Sequence, residues 1–173
     1  MKTSADSLKK SADALNDSSL WEKKKIKKKD EKTGEEIEVE DYDWDKITKA
    51  VKSFVEDYND VVKEAGESNT KDVLRNASWM TGMTDKNSNM LAKIGITIGK
   101  GNKLELDEDA LKQAYISSLK TVFTGYNSFV SKISQKATGI SNAANRASAT
   151  YTNNGTYSKT DSLLTSSKID EEV

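Results

Sequence analysis

The sequence has no proline, no cysteine and no histidine in 173 residues. Proline removes a backbone donor and clashes inside helices, so its absence leaves long helices free to run uninterrupted. Without cysteine there is no disulfide and no thiolate nucleophile. Without cysteine and histidine together, the usual zinc sites and histidine general-base catalysis are excluded. The missing cysteine is neutral about redox compartment. Charge of one sign is also missing: 27 basic and 28 acidic residues leave a net charge of -1. No bulk attraction to nucleic acid or to an anionic membrane follows from that balance. No stretch approaches the roughly 18 apolar residues of a membrane span. The first residues, Met1 to Asp6, lack the apolar centre of a cleaved secretory signal. The chain is expected to stay in the cytoplasm or to leave by a route that reads no such signal.

What is present points to helices. Apolar residues make up 35% and charged residues 32%, a balance that suits helices buried along one stripe. Four segments follow from the pattern: 1–21, 22–41, 42–152 and 153–173. In the first, Leu8, Ala12 and Leu15 fall at i, i+4 and i+7, which predicts an amphipathic helix over 4–21 ending in Leu20 and Trp21. Ser4 or Asp6 suits its cap.

The second segment changes character. Six lysines lie between Glu22 and Lys29, around Ile26. After Lys32-Thr33-Gly34-Glu35 come Glu36, Glu38, Glu40 and Asp41, alternating with Ile37 and Val39. Alternation with period two on both sides of a glycine turn predicts a β-hairpin. Its arms carry opposite charge, so lysines and glutamates can pair across the ladder. A nucleic-acid patch is the sharper reading, but acids placed directly beside the bases favour a solvated, self-complementary hairpin or charged loop.

Two heptad stripes dominate the third segment. Trp44, Ile47, Val51, Phe54, Tyr58, Val61 and Ala65 are spaced 3, 4, 3, 4, 3, 4. Asp43 is placed to cap this helix and Gly66 to end it. Tyr126, Val130, Ile133, Ala137, Ile140, Ala144, Ala147 and Tyr151 form the second, with Gly139 inside as a local weakness. The two helices are expected to pack against each other in antiparallel fashion. The residues assigned to this helix-packing interface are Trp44, Ile47, Val51, Phe54, Tyr58, Val61, Tyr126, Val130, Ile133, Ile140, Ala144 and Tyr151. Between the stripes, 70–80 reads as a helix with Val73, Leu74, Ala77 and Met80 on one face, and Thr81 to Asn89 as a loop. Met90 to Leu106 reads as a small hairpin turning at Gly99-Lys100-Gly101-Asn102. Asp107 then caps a helix over 108–124, with Leu111, Ala114, Tyr115, Leu119, Val122 and Phe123 as its apolar face. The tail, 153–173, is rich in Ser, Thr, Asn and Lys and shows no steady period, so a flexible segment is expected there.

No constellation supports catalysis. Gly95, Gly99, Lys100 and Gly101 do not match the spacing of a phosphate loop, and Asn102 follows where a hydroxyl would be needed for magnesium. Asp107, Glu108 and Asp109 lack the glycine and terminal glutamate of a calcium loop, and acids in a first helical turn are what the helix dipole favours. Trp21, Trp44 and Trp79 read as packing anchors rather than a ligand box. Catalytic, metal and cofactor residues are therefore none. The fold class is mainly α: an elongated helical bundle with an antiparallel heptad-patterned helix pair and one or two small β-hairpins.

Three segments together resemble the C-terminal half of the bacterial flagellar filament-capping protein, hook-associated protein 2. Ile47 to Asn59 (ITKAVKSFVEDYN) is similar to a family helix ending in FV-x-x-YN. Leu91 to Leu111 (LAKIGITIGKGNKLELDEDAL) matches an L-x-x-IGIT element, a glycine turn and an L-x-LDE-x-x-L helix start. Val122-Phe123-Thr124-Gly125 matches a VF-x-G helix end. Order and spacing agree over roughly 45–150, as in a short stand-alone relative or a fragment. The resemblance implies a helical region that packs laterally in an axial assembly and is exported by the flagellar apparatus without a cleaved signal. It implies flagellin or other flagellar axial proteins as partners, or further copies of the chain, while the charge balance and the lack of an apolar span leave neither nucleic acid nor membrane insertion expected. The reading from a different class is a cytosolic helical adaptor or chaperone-like binding module.

Overall fold

A computed structural model of the chain describes residues 1–30 and 32–150. Those residues are mainly α-helical, with seven α-helices and two small two-stranded antiparallel sheets among them. Helix α2 (Trp44–Gly66), 23 residues long, forms where the first heptad stripe lies, and Ile47, Val51, Phe54, Tyr58, Val61 and Ala65 are all buried along it. The Asp43 carboxylate accepts from Lys46 N–H at 3.1 Å, which satisfies one free amide of the first turn. Gly66 is the last residue of the helix and Glu67 is its cap, so the helix runs past the position expected to end it.

Helix α1 (Lys2–Asn16) buries Ala5, Leu8, Ala12 and Leu15, spaced 3, 4, 3. A short 3-10 turn, Ser18–Trp21, follows, and the Trp21 indole N–H donates to Leu15 O at 2.8 Å. That bond folds the ring back under α1, where it stacks on Phe123 with centroids 5.5 Å apart. Strands β1 (Lys24–Lys29) and β2 (Glu36–Asp41) then pair antiparallel, Ile26 facing Val39 and Lys27 facing Glu38.

Helix α3 (Lys71–Lys86) runs through much of the span expected to be a loop at 81–89. Its buried positions are Val73, Ala77, Met80 and Thr84, spaced 4, 3, 4. Thr84 hides the stripe because it is polar. Its hydroxyl donates to Met80 O and accepts from the Tyr58 hydroxyl, both at 2.9 Å, so burial leaves it satisfied. A short α4 (Ser88–Ala92) takes up Met90 and Leu91, and the expected hairpin shrinks to β3 (Ile96–Ile98) and β4 (Leu104–Leu106). The turn between them holds Gly101 and Asn102 at positive φ, 70° and 60°.

The helix expected over 108–124 is two helices, α5 (Glu108–Gln113) and α6 (Ile116–Phe123). Ala114 and Tyr115 between them are extended, with ψ of 146° and 132°. An unbroken helix would align Tyr115 with Leu111 and Leu119, at i, i+4 and i+8, and carry a phenol into the apolar interior. The break turns Tyr115 outward, where it is 81% exposed. Helix α7 (Phe129–Thr150) begins three residues later than the second stripe. Ser128 Oγ accepts from Ser131 N–H at 3.1 Å, so the cap sits after Tyr126 rather than before it.

The direction of the long helices follows from the polar contacts between them. Ser134 bonds Asp13 and Ser141 bonds Asp6, so α1 and α7 are antiparallel. Ser4 bonds Glu64, so α1 and α2 are antiparallel as well. Asp72 meets Arg146 and Trp79 meets Lys136, which sets α3 antiparallel to α7. The two heptad-patterned helices therefore have antiparallel partners, but these are α1 and α3. Helices α2 and α7 run in the same direction, and α7 packs chiefly on α1 and α3.

Candidate assembly surface

The residues picked out by the two stripes lie in the interior of one chain. Ile47, Val51, Phe54, Tyr58, Val61, Val130, Ile133 and Ile140 are fully buried, and Trp44 and Ala144 are half-buried against the core. Tyr126 stands apart from them at 83% exposure. Tyr151 and the tail 153–173 lie outside the described residues. Phe54 is the centre of the cluster. Its ring lies 6.3–6.4 Å from those of Tyr58, Phe123 and Phe129, the latter two edge-on. Such edge-to-face pairs add to the area that aromatic rings bury. Burial pushes the Tyr58 hydroxyl up to about 12, against the opposing pull of its bond to Thr84.

The motif residues act as joints between elements. Asn59 clamps β4 by its backbone, donating to Leu104 O at 2.8 Å and accepting from Leu104 N–H at 2.7 Å. Gly95 holds φ +81, and a Cβ there would lie 2.6 Å from Asp107 O, so the IGIT element needs this glycine for close approach to α5. Gly95 O in turn accepts from Asp107 N–H at 2.8 Å, and the Asp107 carboxylate caps α5 through Asp109 and Ala110. Gly125, at φ +98, donates its N–H to the Asn16 side chain at 2.9 Å and ties the end of α6 to the end of α1. Gly139 lies inside α7, and a Cβ there would meet the side chain of Asn76 of α3 at 2.9 Å.

The outward surface was harder to read from sequence. Leu74 and Trp79 of α3 are 41% and 43% exposed, and Lys136 Nζ lies 4.3 Å from the Trp79 ring centroid. An open cleft of about 380 Å³ between α1 and α2 is lined by Lys10, Ser11, Ala14, Lys49 and Ala50 among others. The seam between α1 and α7 is polar at its edge. Hydrogen bonds from Lys2 and Ser141 hold the Asp6 carboxyl below the usual carboxylate range. Burial raises that of Asp13, but hydrogen bonds from Lys9 and Ser134 outweigh it and the net direction is also down.

Among the described residues no group of His, Cys, Asp or Glu is arranged to hold a metal ion, and no helix is long and apolar enough to cross a membrane. These are the features of a helical protein whose distinctive residues serve packing. Residues 68–171 match the family described as flagellar hook-associated protein 2 C-terminus. The match spans more than half of the chain, so the chain belongs to that family, one of structural flagellar proteins rather than of enzymes. The IGIT, LDE and VF-x-G segments fall inside the matched residues, and the Ile47–Asn59 segment within α2 falls before them. No curated protein matches, and no solved structure matches.

Proposed function

We propose that this chain is a structural assembly component of the bacterial flagellum, related to the filament cap, that acts by packing against flagellin or against copies of itself. The observation that carries the reading is the match over 68–171, within which Gly95, Asp107 and Gly125 stand as joints of the bundle. Because the heptad residues are consumed in the core, the partner meets the outer faces of α1, α3 and the β1–β2 hairpin. Export through the flagellar apparatus, without a cleaved signal, takes the chain outside the cell. The test is to shear flagella from the cells, fractionate them and probe for this chain, with a flagellin-deleted strain beside. Recovery in the filament fraction, lost when flagellin is absent, is the expected result. Confinement to the cytosol in a motile cell would overturn it and favour the adaptor reading.

A further inference from the structure

The β1–β2 hairpin leaves two strand edges and several charges without partners. Each of its strands has a single neighbour, so the outer N–H and C=O groups of both edges are open. Lys25, Lys27 and Lys29 share one face with Glu40, Glu38 and Glu36, their cross-strand partners. On that face the ion pair within 4 Å is Lys27 with Glu36, at 3.7 Å. Lys25, Lys29, Glu38 and Glu40 make none among the described residues. On the other face Lys28 pairs with Asp41 at 2.5 Å, beside Ile37, which is 40% exposed. Lysines on an edge ordinarily protect it against further pairing. A protected hairpin would carry the same sign on both edges. Here the β1 edge is basic and the β2 edge acidic.

We infer that the hairpin is a self-association element, in which the lysine edge of β1 in one copy pairs with the glutamate edge of β2 in a second copy. Like edges repel, because equal charges directly opposite each other destabilise a ladder. Unlike edges set the lysine row between two acidic rows. The two edges are different surfaces, so the contact is heterologous and each copy uses both. Association therefore continues past a dimer, into a closed ring or an open row. Strands lie ~4.8 Å apart, closer than helical bundles can sit, and a twist of about 20–25° per strand fans the bundles away from one another. This inference concerns contacts between copies and stands whether or not flagellin is the further partner.

The experiment uses the full chain. Analytical ultracentrifugation over a concentration series should show species larger than a dimer at low salt, shifting toward monomer near 1 M salt, where the Debye length is about 3 Å. A sextuple variant, K25E/K27E/K29E/E36K/E38K/E40K, exchanges the signs of the two arms and keeps the hairpin complementary to itself. It should assemble alone as the native chain does. When the two are mixed with different fluorescent labels, energy transfer between them should fall well below that of two native samples, because every mixed edge now sets like charges together. Circular dichroism on each protein shows that the bundle is intact. A native chain that stays monomeric or stops at a dimer overturns the inference, as does random mixing of native and exchanged chains.

Discussion

At the scale of single residues, two side chains bear more than their size suggests. Phe54 joins α2, α6 and α7 through its ring contacts with Phe123 and Phe129 and is fully buried. Phe54→Ala should cost about 3–5 kcal/mol, the transfer loss plus the cavity left behind. Thermal or denaturant unfolding measures it, and a midpoint equal to the native one would show that the site collapses without loss. Asn59 works differently. It replaces a missing neighbour strand for Leu104, supplying both a donor and an acceptor to one residue's backbone. Asn59→Ala leaves two half-buried backbone groups unpaired and should cost about 1–3 kcal/mol. Amide exchange should speed up at Leu104 and across 96–106 while the interiors of α2 and α7 stay protected. Unchanged exchange at Leu104 would mean that water replaces the side chain at no cost.

At the scale of elements, the stripes were legible because burial along a helix imposes a 3–4 spacing, and Val51, Phe54 and Ile133 obey it without exception. The hairpin arms were legible for the same kind of reason, with period two around Gly34, itself at φ +72. Where the sequence misled, a polar residue was satisfied locally or an apolar one was turned out. Thr84 is the first case, and Tyr115 and Tyr126 are the second. Two predictions belong to this scale. High salt should loosen β1–β2, whose pairs are exposed, and leave the long helices intact, because exposed pairs are screened while buried stripes are not. Hydrogen exchange of 22–41 at low and high salt reads this directly, and equal exchange at both would assign the hairpin's order to its backbone alone. The α1–α7 seam should respond to acid. Asp6 and Asp13 have folded values below the ordinary carboxylate, so their ionised forms favour the folded state. Their contribution is present above the ordinary value of about 3.9 and is lost as pH falls through the lowered ones. The gap in melting temperature between the native chain and D6N/D13N should therefore be open at neutral pH and closed on the acid side. A gap that does not change with pH would show that these aspartates act only through shape.

At the scale of the whole molecule, the decisive fact is how the long helices are ordered. Two heptad stripes in one chain invite a direct pair, and nothing in their spacing tells which third helix each meets. That information sits in contacts far apart in sequence, such as Asp13 with Ser134 at 2.7 Å and Asp6 with Ser141 at 2.6 Å. Helix α1 lies between α2 and α7 and is antiparallel to both, so the two heptad helices run in the same direction. Their C-terminal ends approach around Met1, Ser4 and Glu64. The arrangement can be read with spin labels on exposed sites. Lys46 lies in the first turn of α2, Lys63 in its last turn, and Asn145 near the end of α7. The two α2 sites are separated by about 25 Å at 1.5 Å per residue. With α2 and α7 parallel, labels at 63 and 145 should be much closer than labels at 46 and 145. An antiparallel heptad pair requires the reverse order, with 46 close to 145 and 63 distant. Electron–electron resonance on the two double-cysteine variants, in a chain that has no cysteine of its own, separates these arrangements by the sign of a single difference.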